Sequence, residues 1–334
     1  MKKLSILFVL LIVTISSTFV GCKNNDGVVR INEVTHSIFY APLYIAINKG
    51  YFEEYDIEIE LTNGGGSDNS MTALLSNSCD IALLGPETSV YVANQNRSDL
   101  PVIFGQLTKR DGSFIIGRER VDGNFDWNNL IGSEILGGRR GGMPAMTLEY
   151  VLKQKGLINN QNITINYDVA FNNMTSAFIA NTADYMTTFE PTGSILEKNN
   201  QGYIVASVGQ EAGEVPFTTF MATRSYLDDN PELINKFLKA VMKGYNFLVS
   251  ADIDDVVDAL LPSFSDSDRD SIKSSIQNYI SIDAWCSTPI MTESSYDRLI
   301  TIMTEAGTLE NRIEFSRVVD NSFAQKVMNE LLEV

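Results

Sequence analysis

The sequence predicts an α/β protein of two Rossmann-like lobes, with a hinge and a cleft between them and a helical C-terminal tail. Three observations carry that expectation. Short β-branched or apolar runs alternate with segments of helical period, the pattern of strands joined by crossover helices. At 334 residues the chain exceeds what one compact core ordinarily holds. The alternation runs twice, then one strand returns after Pro216 and the remainder reads as helix, so the chain passes between lobes twice. Residues 28–113 plus 217–334 are assigned to lobe I, and residues 114–216 to lobe II.

The first segment lies outside that fold. Met1-Lys2-Lys3 precedes an apolar run from Leu4 to Val20, broken by Ser5, Thr14, Ser16, Ser17 and Thr18. A charged start, an apolar run and a small-residue exit make a secretory signal. The run falls short of the ~20 apolar residues a spanning helix needs. Gly21-Cys22 follows in the acceptor pattern of bacterial lipoproteins. Residues 1–21 are therefore expected to be removed, with lipid on Cys22 anchoring the protein at the extracytoplasmic face of the cell membrane. Residues 22–27 make a polar tether.

Lobe I opens with "VVRINEV" (28–34) as a strand, then "APLYIAINKGYF" as a helix closed by Gly50. "IEIEL" (57–61) alternates as a strand, and Gly64-Gly65-Gly66-Ser67 turns into the helix "DNSMTALLSN". "DIALLG" (80–85) reads as a buried strand, and Pro86 suits the first helical position before "ETSVYVANQN". "VIFGQL" is the next strand. The grammar restarts after Asp126 with "EILGG" as strand, "PAMTLEYVLKQKG" as helix, "NITINYDVA" as strand and "MTSAFIANTA" as helix. "DYMTTF" and "GYIVASVG" add two strands, and "FTTFMATRSYL" a last one. Such alternation argues for parallel sheets with helices on both faces. Pro231 opens a long amphipathic helix, with further helices near 267–280, 294–306 and 322–332.

Composition removes several functions. Asp and Glu number 42 against 25 Lys and Arg, a net charge of −17, where nucleic-acid binders need a basic face. Any anionic ligand must be caught by local donors against the global field. The single histidine, His36, and three cysteines cannot build a His/Cys zinc site, and no metal or cofactor is implied. Cys79 and Cys286 read as two buried thiols, with a disulfide between them left open. The stretch "LGGRRGGMPAMTLEY" (136–150) suggests a phosphate loop, but lacks the Gly-Lys-Ser/Thr ending and the dinucleotide spacing.

In open α/β sheets, ligands sit at the carboxyl ends of strands. His36, Ser37 and Tyr40 follow the first strand, where an aromatic stacks on a flat ligand and an imidazole donates or accepts; a structural histidine and a core tyrosine are the alternative. Gly65 and Ser67 offer backbone N–H groups at a helix start, or simply a turn needing positive φ. Pro86 and Glu87 end the next strand, with Glu87 either a helix-start charge or a partner for a cation. Gly141, Gly142 and Met143 end the first strand of lobe II, and Arg140 beside them favours an oxyanion if it enters the cleft. Phe171 and Asn172 end another strand, and Glu190 before Pro191 ends a third, where a carboxylate accepts from an aminopyrimidine edge or caps the following turn. Trp285, in the tail, either stacks over the cleft or packs. Asp111-Gly112-Ser113 marks the first crossing, where Gly112 can absorb hinge rotation.

The stretch from "HSIFYAPLYIAINKGYF" through "CDIALLGPE", with "GGMPAMTLEYVLKQKGL" and "TTFEPTGSILEK", resembles the solute-binding proteins of the NMT1/THI5-like and SsuA-like group. The resemblance covers essentially the whole mature chain. It implies a type II periplasmic-binding-protein fold, a monomer that takes up a small-molecule ligand and delivers it to an ABC permease driven by a separate ATPase. Cargos in that group include thiamine and its pyrimidine precursors, sulfonates and taurine, nitrate or bicarbonate, and riboflavin. The aromatic and acidic candidates rank thiamine or a pyrimidine precursor first, and a sulfonate or other oxyanion second. No catalysis is expected. An enzyme on the same fold is the competing class, although the "CCCFC" iron motif of fungal pyrimidine synthases is absent. A sensor or adhesin lipoprotein is a third.

Overall fold

The computed structural model describes residues 27–95 and 97–332; the signal segment and Cys22 lie outside the described residues. The first sheet takes β1 (Val28–Glu33), β2 (Glu58–Asn63), β3 (Ile81–Leu84) and β4 (Pro101–Thr108). The second takes β5 (Phe114–Gly117), β6 (Glu134–Leu136), β7 (Thr164–Asn166), β8 (Tyr185–Thr188) and β9 (Tyr203–Ser207). After it, β10 (Thr218–Thr223) returns to the first sheet. The spatial orders are β2-β1-β3-β10-β4 and β7-β6-β8-β5-β9.

Neither sheet is wholly parallel. β1 runs parallel to β2 and β3, but β10 is antiparallel to both β3 and β4. In the second sheet β6 is parallel to β7 and β8, and β5 is antiparallel to β8 and β9. The reversed strands are the ones that follow a crossing between sheets, where the chain arrives from the other lobe and enters from the opposite end.

Helices α1 (Ala41–Asn48), α2 (Ser67–Leu75) and α3 (Glu87–Ala93) connect the first sheet. Helices α4 (Met143–Gln154), α5 (Phe171–Ile179), α6 (Thr192–Lys198) and α7 (Val208–Ala212) belong to the second. The tail runs through α8 (Arg224–Asp229), α9 (Pro231–Ser250), α10 (Ile253–Leu260), α11 (Arg269–Ser281), α12 (Glu293–Glu305), α13 (Phe315–Val318) and α14 (Ser322–Leu332). Two local expectations change. The "RSYL" end of the expected strand is helical, because the Thr223 hydroxyl accepts from the Tyr226 N–H and caps α8. Phe171 and Asn172 open α5 and do not end a strand.

Alternation across β5 and β6 divides the core of lobe II. Ile115 and Ile135 pack on one face of the sheet, Ile116 and Leu136 on the other. Lobe I and the tail share one larger core. There α9 lies so close to α1 that a side chain at Gly244 would collide with the Pro42 carbonyl. Cys79 and Cys286 stay apart as buried free thiols.

Candidate functional site

The loops at the carboxyl ends of β1, β3, β6 and β8 meet where the two lobes face each other. The Ser37 Oγ donates to the Glu190 carbonyl at 2.6 Å, and the Glu190 N–H donates to Tyr279 Oη at 2.9 Å. Further along, Tyr91 Oη donates to the Gly141 carbonyl at 2.9 Å, and Arg139 pairs with Asp68. Beside the Ser37–Glu190 contact lies a cavity of about 180 Å³, lined by His36 and Ser37 from lobe I and Phe171, Asn172, Thr188 and Glu190 from lobe II. Among the described residues, no Lys or Arg lines it.

His36 is at the rim, and both ring nitrogens are engaged. Nδ1 stands 2.8 Å from Glu33 Oε1 and Nε2 stands 2.7 Å from the Ser263 carbonyl. A carboxylate and a carbonyl facing the two nitrogens favour the doubly protonated ring. The hydrogen bond to Glu33 raises its pKa above the usual histidine value, against desolvation. Tyr44 Oη donates to the other Glu33 oxygen, and the His36 ring stacks on Phe264 at 4.5 Å. His36 thus fastens the tail to β1 and has no ring nitrogen left for a solute.

Glu190 lines the cavity, but its carboxylate turns away into the protein. It accepts from Ser194 N at 2.8 Å, Ser194 Oγ at 2.9 Å and Asn278 Nδ2 at 2.5 Å. Burial pushes its pKa up, and these bonds pull it back. The group caps α6 and holds α11, which belongs to the tail. Trp285 also serves packing. It is 5% exposed, its Nε1 donates to the Phe39 carbonyl at 2.8 Å, and its ring stands edge-on to Tyr279. Tyr40 is buried beside Phe39 and does not line the cavity.

Phe171 is partly exposed, set edge-on to Phe189 with centroids 6.0 Å apart, and presents a free aromatic face. Asn172 adjoins it and faces the glycine turn of lobe I, 4.0 Å from where a Gly65 Cβ would stand. Gly65 has φ 67° and donates to Asn63 Oδ1 at 2.7 Å, and Ser67 opens α2. Gly141 has φ 79°, Gly142 is the N-cap of α4, and Met143 is its buried first residue. Pro86 is the buried N-cap of α3. Glu87 follows it, 1% exposed, with neither carboxyl oxygen hydrogen-bonded. Its pKa is pushed to about 7 by desolvation. Arg140 lies outside, its guanidinium 4.2 Å from the Tyr167 ring centroid.

The crossing at Asp111-Gly112-Ser113 is tightly built. Asp111 Oδ1 accepts from Ser113 N at 2.7 Å and Ser113 Oγ at 2.6 Å, and a Cβ at Gly112 would stand 2.6 Å from the Phe39 ring. Three contributors escape sequence reasoning: Glu33, which orients His36; Thr188, in the cavity wall; and Asn278, which holds Glu190. Only Glu33 leaves a trace, an acid three residues before the single histidine.

A family model described as NMT1/THI5 like matches residues 38–251. YtlA of Bacillus subtilis (strain 168), whose name describes a binding protein, is 42% identical over 312 residues, 93% of each chain. The alkanesulfonate-binding protein SsuA from Xanthomonas axonopodis pv. citri, solved bound to MOPS, superposes with a TM-score of 0.71 at 15% identity, covering 89% of this chain and 99% of that one. The periplasmic nitrate-binding protein NrtA from Synechocystis PCC 6803 gives a TM-score of 0.71 at 16% identity, covering 91% and 89%. The two mixed sheets, the cleft and the helical tail are thus the periplasmic-binding-protein fold, and by family match and sequence identity the chain belongs to the NMT1/THI5-like family.

Proposed function

We propose that the protein is the extracytoplasmic solute-binding component of an ABC importer, a monomer held by lipid on Cys22. It captures a small solute between lobe I (residues 28–113 plus 217–334) and lobe II (residues 114–216), closes, and delivers it to a permease coupled to an ATPase. Binding carries the function and no catalysis is assigned. The observation that carries this reading is the cavity itself, set where Ser37 of one lobe meets Glu190 of the other. Phe171 supplies a stacking face, and Asn172 and Thr188 supply directed hydrogen bonds.

A cavity whose described lining holds no Lys or Arg favours a flat nitrogenous solute over an anion. Thiamine or a pyrimidine precursor is therefore the first-ranked cargo. An alkanesulfonate, taurine or another oxyanion is the second, favoured by the names of the SsuA and NrtA neighbours and by the glycine turns around Gly65 and Gly141. A thermal-shift panel of thiamine, an aminopyrimidine, taurine, an alkanesulfonate, nitrate and riboflavin tests the ranking. A solute at a hundredfold its Kd adds ~2.7 kcal/mol of stability. Stabilisation by taurine or nitrate alone reverses the order of cargos, and no shift from any solute contradicts the import role.

A further inference from the structure

Glu87 opens α3 after β3, and Met143 opens α4 after β6, so two helix starts oppose each other across the lobes. Tyr91, one turn into α3, fixes that approach through the Gly141 carbonyl and through Met146 Sδ at 3.6 Å. The Glu87 side chain folds back over Gly85, where any Cβ would collide with it. Both carboxyl oxygens are buried and unpaired, yet the N–H groups of Met143 and of Glu87 itself face them and lower the acid's pKa. Arg139, ion-paired to Asp68, lowers it too, while Asp68 raises it; Tyr40 and Tyr91 also feel its charge. Desolvation outweighs all of these.

The start of α4 is where an anionic group would be welcomed, because free N–H groups and the helix dipole converge there. Here the chain's own carboxylate stands in that position. An incoming oxyanion meets like charge, whereas a nitrogen bearing positive charge or N–H donors gives the carboxylate the partner it lacks.

We propose that Glu87 is the specificity-determining acid of the cleft, selecting solutes with a cationic or N–H-donating nitrogen and turning away sulfonates and other oxyanions. The assignment rests on the solute-binding reading above and names the residue that sets its chemical class. A solute that pairs with Glu87 takes the place of its proton, so binding is linked to proton release near neutral pH.

The test compares wild type with Glu87→Gln, an isosteric change that removes the charge, using thiamine as the cationic probe and taurine as the anionic one. Calorimetry at pH 7 in phosphate and in Tris should show proton release with thiamine in wild type. The variant should lose at least tenfold in thiamine affinity and show no buffer dependence. Thiamine affinity within twofold of wild type, or taurine bound more tightly than thiamine by wild type, overturns the assignment. A second comparison needs no solute: the melting temperatures of both proteins from pH 5 to 9. The advantage of Glu87→Gln over wild type should be smallest at pH 5, grow as pH rises to about 7 and level off above it; a difference that does not change with pH means the acid is already paired and overturns the assignment. If wild type binds neither probe, the import reading loses support, and the pH comparison still decides whether Glu87 is an unpaired acid.

Discussion

The hydroxyl of Ser37 reaches across the cleft to the backbone carbonyl of Glu190, 2.6 Å away, with both residues 2% exposed or less. One residue follows β1 and the other follows β8, so this single bond ties the floor of lobe I to the wall of lobe II. Ser37→Ala leaves a buried carbonyl unpaired only when the lobes are closed. The closed form should lose about 1–2 kcal/mol, and solute affinity should fall by roughly 5- to 30-fold. Titration calorimetry on the variant measures it; an unchanged Kd removes the bond from the closing mechanism.

Glu190→Gln separates two roles for one side chain. The carboxylate accepts from Ser194 N, Ser194 Oγ and Asn278 Nδ2, and an amide in its place confronts donors with a donor. The melting temperature should fall, with a loss of about 1–3 kcal/mol as α6 and α11 come apart. Lost binding at an unchanged melting temperature would show instead that the carboxylate touches the solute.

Gly244 tests the scaffold without touching the cleft. In Gly244→Ala the new methyl meets the Pro42 carbonyl, so α9 must back away from α1. A cost of about 1–3 kcal/mol is expected, read as a fall of a few degrees in Tm, with the Kd for the solute unchanged.

His36 gives the fold a pH signature. Its pKa is raised, chiefly by the hydrogen bond to Glu33, so the folded state holds the proton more tightly than the unfolded chain does. The stabilisation is fully present below the unfolded value of about 6.5 and is lost as pH rises through the higher folded value. Urea unfolding of wild type and His36→Gln between pH 5.5 and 9 should show a difference that shrinks with rising pH. A constant difference contradicts the paired imidazolium.

The architecture was legible where physical signals were local. Gly50, with φ 71°, and Pro231, at the start of α9, punctuate helices whose apolar spacing already marks them. β5 was invisible because four consecutive buried residues carry no period, and its antiparallel pairing depends on strands far along the chain. His36, Ser37 and Glu190 line the cavity from loops that follow strands, as their sequence positions suggest, whereas Phe171 and Asn172 reach it from the start of α5. The engagement of their polar atoms was not legible. Whether His36 and Glu190 are free depends on Ser263 and Asn278, more than eighty residues away in each case and brought in by the tail. Trp285 belongs to the same lesson, since its indole N–H is consumed by the Phe39 carbonyl.

The central claim is that a nitrogenous solute binds between the lobes against Phe171. Titration calorimetry of thiamine and an aminopyrimidine into wild type and Phe171→Ala tests it most directly. One-to-one binding by wild type, weakened roughly tenfold by loss of a stacking face worth about 1.4 kcal/mol, is the predicted result. Equal affinity in both proteins, or heat only from sulfonate and nitrate, would contradict it.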